Sequence, residues 1–182
     1  IQSLVNVSYE PRPADYARRV HEIASELVPP RALGFCAGCP HRATYWALKM
    51  ALTLDGRDGF VLGDIGCYSL GMGPSGFGQM KTLHAMGSGA GLACGFGQLN
   101  RFGLEQPAIA VCGDSTFYHA AIPALVNARY NGANFLLLLL DNSATAMTGF
   151  QPHPGTGLTA TGGEAPVIDL KAICEALGAR VV

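Results

Sequence analysis

The sequence predicts an α/β fold, an open and mostly parallel sheet flanked by helices. Two apolar runs carry that prediction: Ala108–Cys112 and Phe135–Leu140 are short and bounded by polar or turn residues, the pattern of strands buried on both faces. Between them Tyr118–Tyr130 reads as a helix, so the unit is β-α-β. Asp114 stands at the mouth of one strand and Asp141-Asn142 at the mouth of its partner. Open parallel sheets bind ligands at the carboxyl ends of their strands, so these polar groups converge on one crevice. A carboxylate, an amide oxygen and a backbone carbonyl are hard oxygen ligands suited to Mg²⁺ carrying phosphates, and a diphosphate site is expected.

The elements before that unit are read in order. Ile1–Tyr9 looks like the tail of something earlier, and Glu10–Pro13 like a linker. Asp15–Leu27 is a helix stopped by Pro29-Pro30. Residues 1–29 are therefore expected to be a linker with one helix, and 30–182 the functional domain. A Cys-rich loop, Gly34–Pro40, leads into helix His41–Leu54, with Pro40 near its start, where a missing N–H costs nothing. Gly59–Leu62 is a short buried strand running into Gly63-Asp64-Ile65-Gly66-Cys67. Tyr68–Leu83 reads as an irregular Gly-rich loop, and Ala85–Leu99 as a helix of small residues that permits close backbone approach.

After the strand pair, Ser143–Glu164 is a long loop rich in Gly, Thr and Pro. Loops of this length inside compact domains are usually functional or disordered; this one begins at a proposed metal ligand, which favours function. Ile168–Leu177 is a helix with Gly178 as its C-cap, and Arg180–Val182 reads as a strand just starting. A strand cut after three residues points to a domain truncated at its C-terminus and belonging to a longer chain.

Composition narrows the function class. Only 14% of the 182 residues are charged, 49% are hydrophobic and 24 are Gly, which suits a buried sheet with many tight turns and a surface partly covered by other domains or subunits. The net charge is −1 with no Lys/Arg cluster, so a nucleic-acid partner has no support. No apolar run reaches membrane-spanning length, and no signal peptide is visible at Ile1. No membrane partner and a cytoplasmic location are expected.

The Gly-Asp and Asp-Asn elements resemble those of thiamine diphosphate enzymes, which carry Gly-Asp-Gly followed downstream by Asn-Asn or a variant. Here Asp114 and Asn142 are 28 positions apart, Ser115 replaces the last Gly and Asp141 the first Asn. The strings FCAGCPHR (Phe35–Arg42), GDIGCYSLG (Gly63–Gly71), GDSTFYHAAIPALVNARYNGAN (Gly113–Asn134) and LDNSATAMTGFQPHPGTG (Leu140–Gly157) resemble the large subunit of indolepyruvate:ferredoxin oxidoreductase, within the 2-oxoacid:ferredoxin oxidoreductases. The resemblance runs from about Pro30 to the C-terminus.

The resemblance implies a thiamine diphosphate-binding domain of the diphosphate type. Position by position, Asp114 supplies a carboxylate to Mg²⁺, Asn142 its side-chain oxygen and Ala144 its backbone carbonyl. Gly113, Ser115 and Thr116 lie where N–H or hydroxyl donors meet phosphate at the positive end of the following helix. Asp64, Ile65, Gly66 and Cys67 are expected against the rings of the cofactor. The plainer reading of Asp114 is a helix N-cap. The implied reaction is oxidative decarboxylation of a 2-oxoacid, an aryl pyruvate such as indolepyruvate, to an acyl-CoA, with electrons passing through iron–sulfur centres to ferredoxin. The activating Glu is expected on a separate pyrimidine-binding domain; neither Glu164 nor Glu175 is a candidate, so no catalytic residue is assigned. Implied partners are that domain, other subunits, ferredoxin, coenzyme A and the 2-oxoacid. Two alternatives stand: a non-oxidative thiamine diphosphate-dependent decarboxylase, and a non-catalytic binding module.

The cysteines divide into two sets. Cys36-Ala37-Gly38-Cys39 is a single C-x-x-C, which a structural zinc site does not usually satisfy alone. With no signal peptide a disulfide is disfavoured. The related oxidoreductases hold a [4Fe–4S] cluster beside the cofactor, and Cys36, Cys39 and Cys67 match three of its ligands; four thiolates are required and no fourth matches. Cys94, Cys112 and Cys174 are read as core residues. Gly71–Gly76 fits G-x-G-x-x-G, but Pro74 and the residues after it cannot open a helix properly, so dinucleotide binding is rejected. His41 is read as facing the cofactor or as structural, and His153 as a loop residue within reach of a substrate carboxylate. His119 lies one turn into the motif helix. The polar face of Asn127 and Asn131 is assigned to contact with another domain.

Overall fold

The computed structural model describes residues 12–29 and 31–182; the expected tail Ile1–Tyr9 and the start of the linker lie outside them. The chain divides into two compact units, Ile1–Ala32 and Leu33–Val182. The first contributes α1, Tyr16–Leu27. Tyr16, Val20, Ile23 and Leu27 share one of its faces by helical spacing, and Arg18 bonds Glu22 one turn on at 2.7 Å.

The second unit runs α2 (Pro40–Asp55), β1 (Phe60–Gly63), β2 (Thr82–Leu83), α3 (Ser88–Phe96) and β3 (Ala108–Gly113). There follow α4, in the segments Asp114–Thr116, Phe117–Ala121 and Ile122–Asn131, then β4 (Leu136–Leu140) and α5 (Leu170–Ala176). The sheet order is β2-β1-β3-β4, and every pairing is parallel, as the apolar runs predict. Successive side chains of a strand point to opposite faces. Val61, Ile109 and Val111 accordingly pack with Tyr45, Leu48, Tyr68 and Met80 on one side. Leu62 and Ala110 pack with Ala93 on the other, where Cys112 joins Ala90, Phe117, Ala121 and Leu125.

α3 sits hard against the sheet because glycine lets it. A Cβ on Gly89 would come within 2.9 Å of the Gly63 Cα and the Leu62 carbonyl oxygen, both backbone atoms. The small-residue run thus gives the close approach expected of it, though α3 spans only Ser88–Phe96 rather than Ala85–Leu99. Its glycines weaken the helix ends.

Several expectations are corrected. Tyr68–Leu83 is not wholly irregular: it makes two 3₁₀ turns and then strand β2, whose Thr82 and Leu83 pair with Leu62 and Gly63. α4 starts at Asp114 itself, and its second segment is π-helical. Arg180–Val182 forms no ladder with β4. Asn127 and Asn131 are both exposed, and their polar groups are also engaged within the chain. Asn127 donates to the Cys94 sulfur at 3.1 Å, Asn131 donates to Asn127 at 2.8 Å, and the Asn131 carbonyl accepts from Arg101.

The buried Tyr45 hydroxyl on α2 donates to the Tyr68 carbonyl at 2.7 Å and so fastens the loop after β1. Burial, and then the charge of Asp64, push its ionisation above the ordinary tyrosine range, so it remains a donor. Tyr45→Phe keeps the packing and removes this bond. It should cost about 1–2 kcal/mol, enough to lower the thermal inactivation midpoint of the intact protein by a few degrees; an unchanged midpoint would show that the loop does not depend on this bond.

Candidate functional site

The register of the sheet assembles the site. Gly113 pairs with Leu140, so the next residues, Asp114 and Asp141, leave adjacent strands side by side. Asp141 is consumed locally. Its Oδ1 accepts from the Ser143 N–H at 2.9 Å and the Ser143 hydroxyl at 3.3 Å, and Ser143 takes a left-handed φ of 56°. This side-chain turn swings the chain over the end of β3. It puts the Asn142 N–H on Asp114 Oδ2 at 3.1 Å.

Asp114 is 2% exposed, yet its carboxylate is ringed by donors. Oδ1 accepts from the Ser115 N–H at 2.8 Å, and Oδ2 lies 3.1 Å from Nε2 of His153, itself buried. Asp114 is the first residue of α4, with Gly113 at the N-cap position and no side-chain capping bond, so the plain N-cap reading does not hold, although the carboxylate still meets the positive end of that helix. No Lys or Arg bonds it among the described residues.

Ile65, Gly66 and Cys67 after β1, Gly113, Asp114, Ser115 and Thr116 after β3, and Asn142 and Ala144 after β4 all line one cleft of about 90 Å³. Typical small-molecule pockets run ~300–1,000 Å³, so this cleft holds part of a ligand and leaves the rest to be covered. Thr145, one residue beyond Ala144, donates its hydroxyl to Ser115 Oγ at 2.8 Å and ties the long loop to the floor. Apolar side chains, Met86 and Met147 among them, complete the lining, and it includes neither Lys nor Arg. A diphosphate there needs its charge balanced by the helix end and a bound cation. The oxygens of Asp114, Asn142 and Ala144 are the donor set such a cation takes, so the residues present fit Mg²⁺ and a diphosphate. A larger groove of about 980 Å³ runs along β4 and α5; it is largely aliphatic and has no convergent polar set.

Asp64 is placed differently from the expectation. It is fully buried beneath the cleft and not among its lining residues. Oδ1 accepts from the Tyr68 hydroxyl and Oδ2 from the Gly89 N–H at 3.0 Å, so Asp64 caps α3 from the end of β1. Tyr68 also reaches Thr116 Oγ1 at 3.1 Å, joining the ends of β1 and β3. Burial and the bond to Asp64 push the Tyr68 hydroxyl far above its ordinary pKa, which keeps it protonated.

The cysteines are neighbours without closing on a common point. The turn Cys36–Cys39, held by Cys39 N–H to Cys36 O at 3.1 Å, presents two thiols just before α2. The Cys67 thiol is pushed up by burial and next by the nearby Cys39 and Cys36. Among the described residues no three His, Cys, Asp or Glu side chains form a metal-holding group. Cys94 and Cys112 are buried, and Cys174 packs under α4.

The histidines separate cleanly. His41, on the first turn of α2, lines the cleft with its pKa lowered by burial, partly offset by the charge of Asp114, and so presents a neutral ring. His119 is exposed and outside the cleft. His153 does not face open solvent for a substrate carboxylate; its partner is Asp114. Sequence reading missed that contact because the partners are 39 residues apart and joined only by folding of the long loop.

Comparison with known proteins agrees with this geometry. Residues 64–182 match the family model of the thiamine pyrophosphate enzyme, C-terminal TPP binding domain. The chain is 44% identical over 163 residues to indolepyruvate oxidoreductase subunit IorA of Methanothermobacter marburgensis, covering 88% of this chain and 26% of the relative. It is 41% identical over 172 residues to IorA of Thermococcus kodakarensis, covering 89% and 26%. It thus spans about a quarter of the length of the curated relatives it matches. Its fold is similar to that of a 2-oxoglutarate:ferredoxin oxidoreductase from Magnetococcus marinus, with a TM-score of 0.63 at 18% identity, over 83% of this chain and 53% of that one. Apart from His41, the residues lining the cleft at the ends of β1, β3 and β4 fall within the matched span, and the chain belongs to the thiamine pyrophosphate enzymes as a C-terminal TPP-binding domain.

Proposed function

We propose that this chain is the diphosphate-holding half-site of an oxidoreductase that oxidatively decarboxylates a 2-oxoacid, an aryl pyruvate such as indolepyruvate, to an acyl-CoA, with ferredoxin as electron acceptor. The carrying observation is the Asp114–Asn142 pair, set in a cleft without cationic side chains. When bound, thiamine diphosphate supplies the electron sink that loss of CO₂ from a 2-oxoacid requires. The residues of this chain do the holding: Asp114, Asn142 and Ala144 take Mg²⁺, while Ser115 and Thr116 at the start of α4 meet phosphate oxygens. His41, Met86 and Met147 add an imidazole and two apolar side chains to the lining of the cleft. The small volume of the cleft supports a second, pyrimidine-binding domain closing over it, and the names of the relatives support further subunits.

Cys36, Cys39 and Cys67 are proposed as three of four thiolates of a [4Fe–4S] cluster, on the strength of their proximity. The second reading is non-oxidative decarboxylation, which needs no iron. The deciding experiment measures thiamine diphosphate and iron per chain in the complete native assembly isolated without oxygen, and the product formed from indolepyruvate with coenzyme A. One cofactor per chain, iron that falls on Cys67→Ser, and acyl-CoA are expected. An aldehyde from an iron-free assembly assigns the second reading, and no cofactor at all overturns both.

A further inference from the structure

His153 is held more firmly than a loop residue with no task. Pro152 and Pro154 flank it, its carbonyl accepts from the Thr156 N–H at 2.9 Å and the Thr156 hydroxyl at 2.8 Å, and its ring lies 5.5 Å from that of Tyr118. The far end of the same loop is anchored by the Tyr118 hydroxyl donating to the Ile168 carbonyl. Side chain and target are both buried, with 1% and 3% of their surfaces exposed.

The bonding settles which ring nitrogen carries the proton. The Gly155 N–H donates to Nδ1 at 3.1 Å, so Nδ1 is an acceptor and the neutral ring has its one proton on Nε2. Nε2 lies 3.1 Å from Asp114 Oδ2, and the bond therefore runs from His153 to Asp114. Three donors from three different places now bear on one carboxylate: Ser115 from its own helix, Asn142 from the end of β4, and His153 from the long loop. The first two are backbone groups set by the sheet and helix. Only His153 is a side chain, and it alone makes the orientation of the carboxylate depend on the loop.

We propose that His153 is the positioning residue for the cation-binding carboxylate: donating from Nε2, it locks Asp114 in the orientation that takes Mg²⁺ and ties that orientation to the place of the loop Ser143–Glu164. The inference rests on the reading of Asp114 as a Mg²⁺ ligand. Partners that orient a metal-ligating side chain are worth about 10–100-fold in metal affinity. His153 fits that role through geometry alone and is not among the residues lining the cleft.

The test uses the full protein assembly, stripped of cofactor with a chelator, and reads two quantities besides activity: Mn²⁺ affinity by electron paramagnetic resonance in the presence of thiamine diphosphate, and the thermal midpoint. Four variants are compared. Asp114→Ala should abolish Mn²⁺ binding, leaving the signal of the free ion undiminished; if it binds Mn²⁺ like the wild type, the cation-site reading itself fails. With that control in hand, His153→Ala should weaken Mn²⁺ binding about 10–100-fold. His153→Gln places an amide N–H near the position of Nε2 and should restore most of it, whereas His153→Asn places its amide near Nδ1 and should not. Wild-type Mn²⁺ affinity in His153→Ala overturns the proposal while leaving the cation site standing. So do equal deficits in the Gln and Asn variants, or midpoints that fall in all three with affinity unchanged. If His153→Ala does not fold, the Gln–Asn comparison decides.

Discussion

Asp114→Ala in the intact protein is expected to lose at least ~100-fold in Mg²⁺-dependent affinity for thiamine diphosphate, about 2.7 kcal/mol. The reason is the charge inventory of the cleft. Its lining includes a single carboxylate and no Lys or Arg, so a phosphate group meets favourable charge only through a cation and the start of α4. Removing the carboxylate removes the charged ligand of that cation and leaves two neutral oxygens, which hold Mg²⁺ weakly. Raising Mg²⁺ should recover little, because the ligand and not the ion is missing. Titration of the cofactor-free assembly at several Mg²⁺ concentrations checks this, and wild-type affinity in the variant would remove Asp114 from the site.

Asp64→Ala should fail for a different reason. Asp64 lies under the cleft and satisfies two buried donors, the Tyr68 hydroxyl and the Gly89 N–H. The Gly89 N–H left without a partner costs about 1–3 kcal/mol, and the Tyr68 hydroxyl, which keeps the Ile65 carbonyl at 3.0 Å, loses a charged acceptor worth about 1.5–3 kcal/mol, so the loss is roughly 2.5–6 kcal/mol. That is a large share of the ~5–15 kcal/mol that holds a typical domain folded. Tyr68 relays the damage, since its hydroxyl also reaches Thr116 at the start of α4. The expected signature is a lower thermal midpoint and poor soluble yield, with binding partly recovered by saturating cofactor, because a ligand that binds the folded state stabilises it by mass action. Asp114→Ala gains no such recovery. An Asp64→Ala protein with the wild-type midpoint would contradict this division between a supporting and a ligating aspartate.

The contrast between these two residues marks how far the sequence could be read. Both follow apolar strands and both resemble ligands on paper. Strand and helix periodicity located β1, β3, α4 and β4, because buried parallel strands announce themselves as continuous apolar runs. What decided the direction of Asp64 was the approach of α3, and that depends on a glycine 25 residues away having no side chain. β2 was hidden because two residues in a Gly-rich stretch carry no period; their partners on β1 make them a strand. The reach of α4 back to Asp114 was hidden for the opposite reason. Gly-Asp-Ser-Thr favours turns locally, and only the end of β3 and the donors around the carboxylate hold those residues helical. His153 lay in plain sight, but nothing in its neighbourhood of prolines and glycines names a partner on another element.

The in-register pair Gly113–Leu140 makes the cation site depend on strand alignment. The two halves of the cation site belong to neighbouring strands, so a slip of one residue would displace Asn142 from Asp114 by ~3.3 Å and turn every β4 side chain to the opposite face. β4 is five leucines in a row, and its own side chains discriminate poorly between registers. Register is therefore held by what lies beyond the strand itself: the Asp141–Ser143 turn and the Asn142 N–H on Asp114 fix where β4 must end.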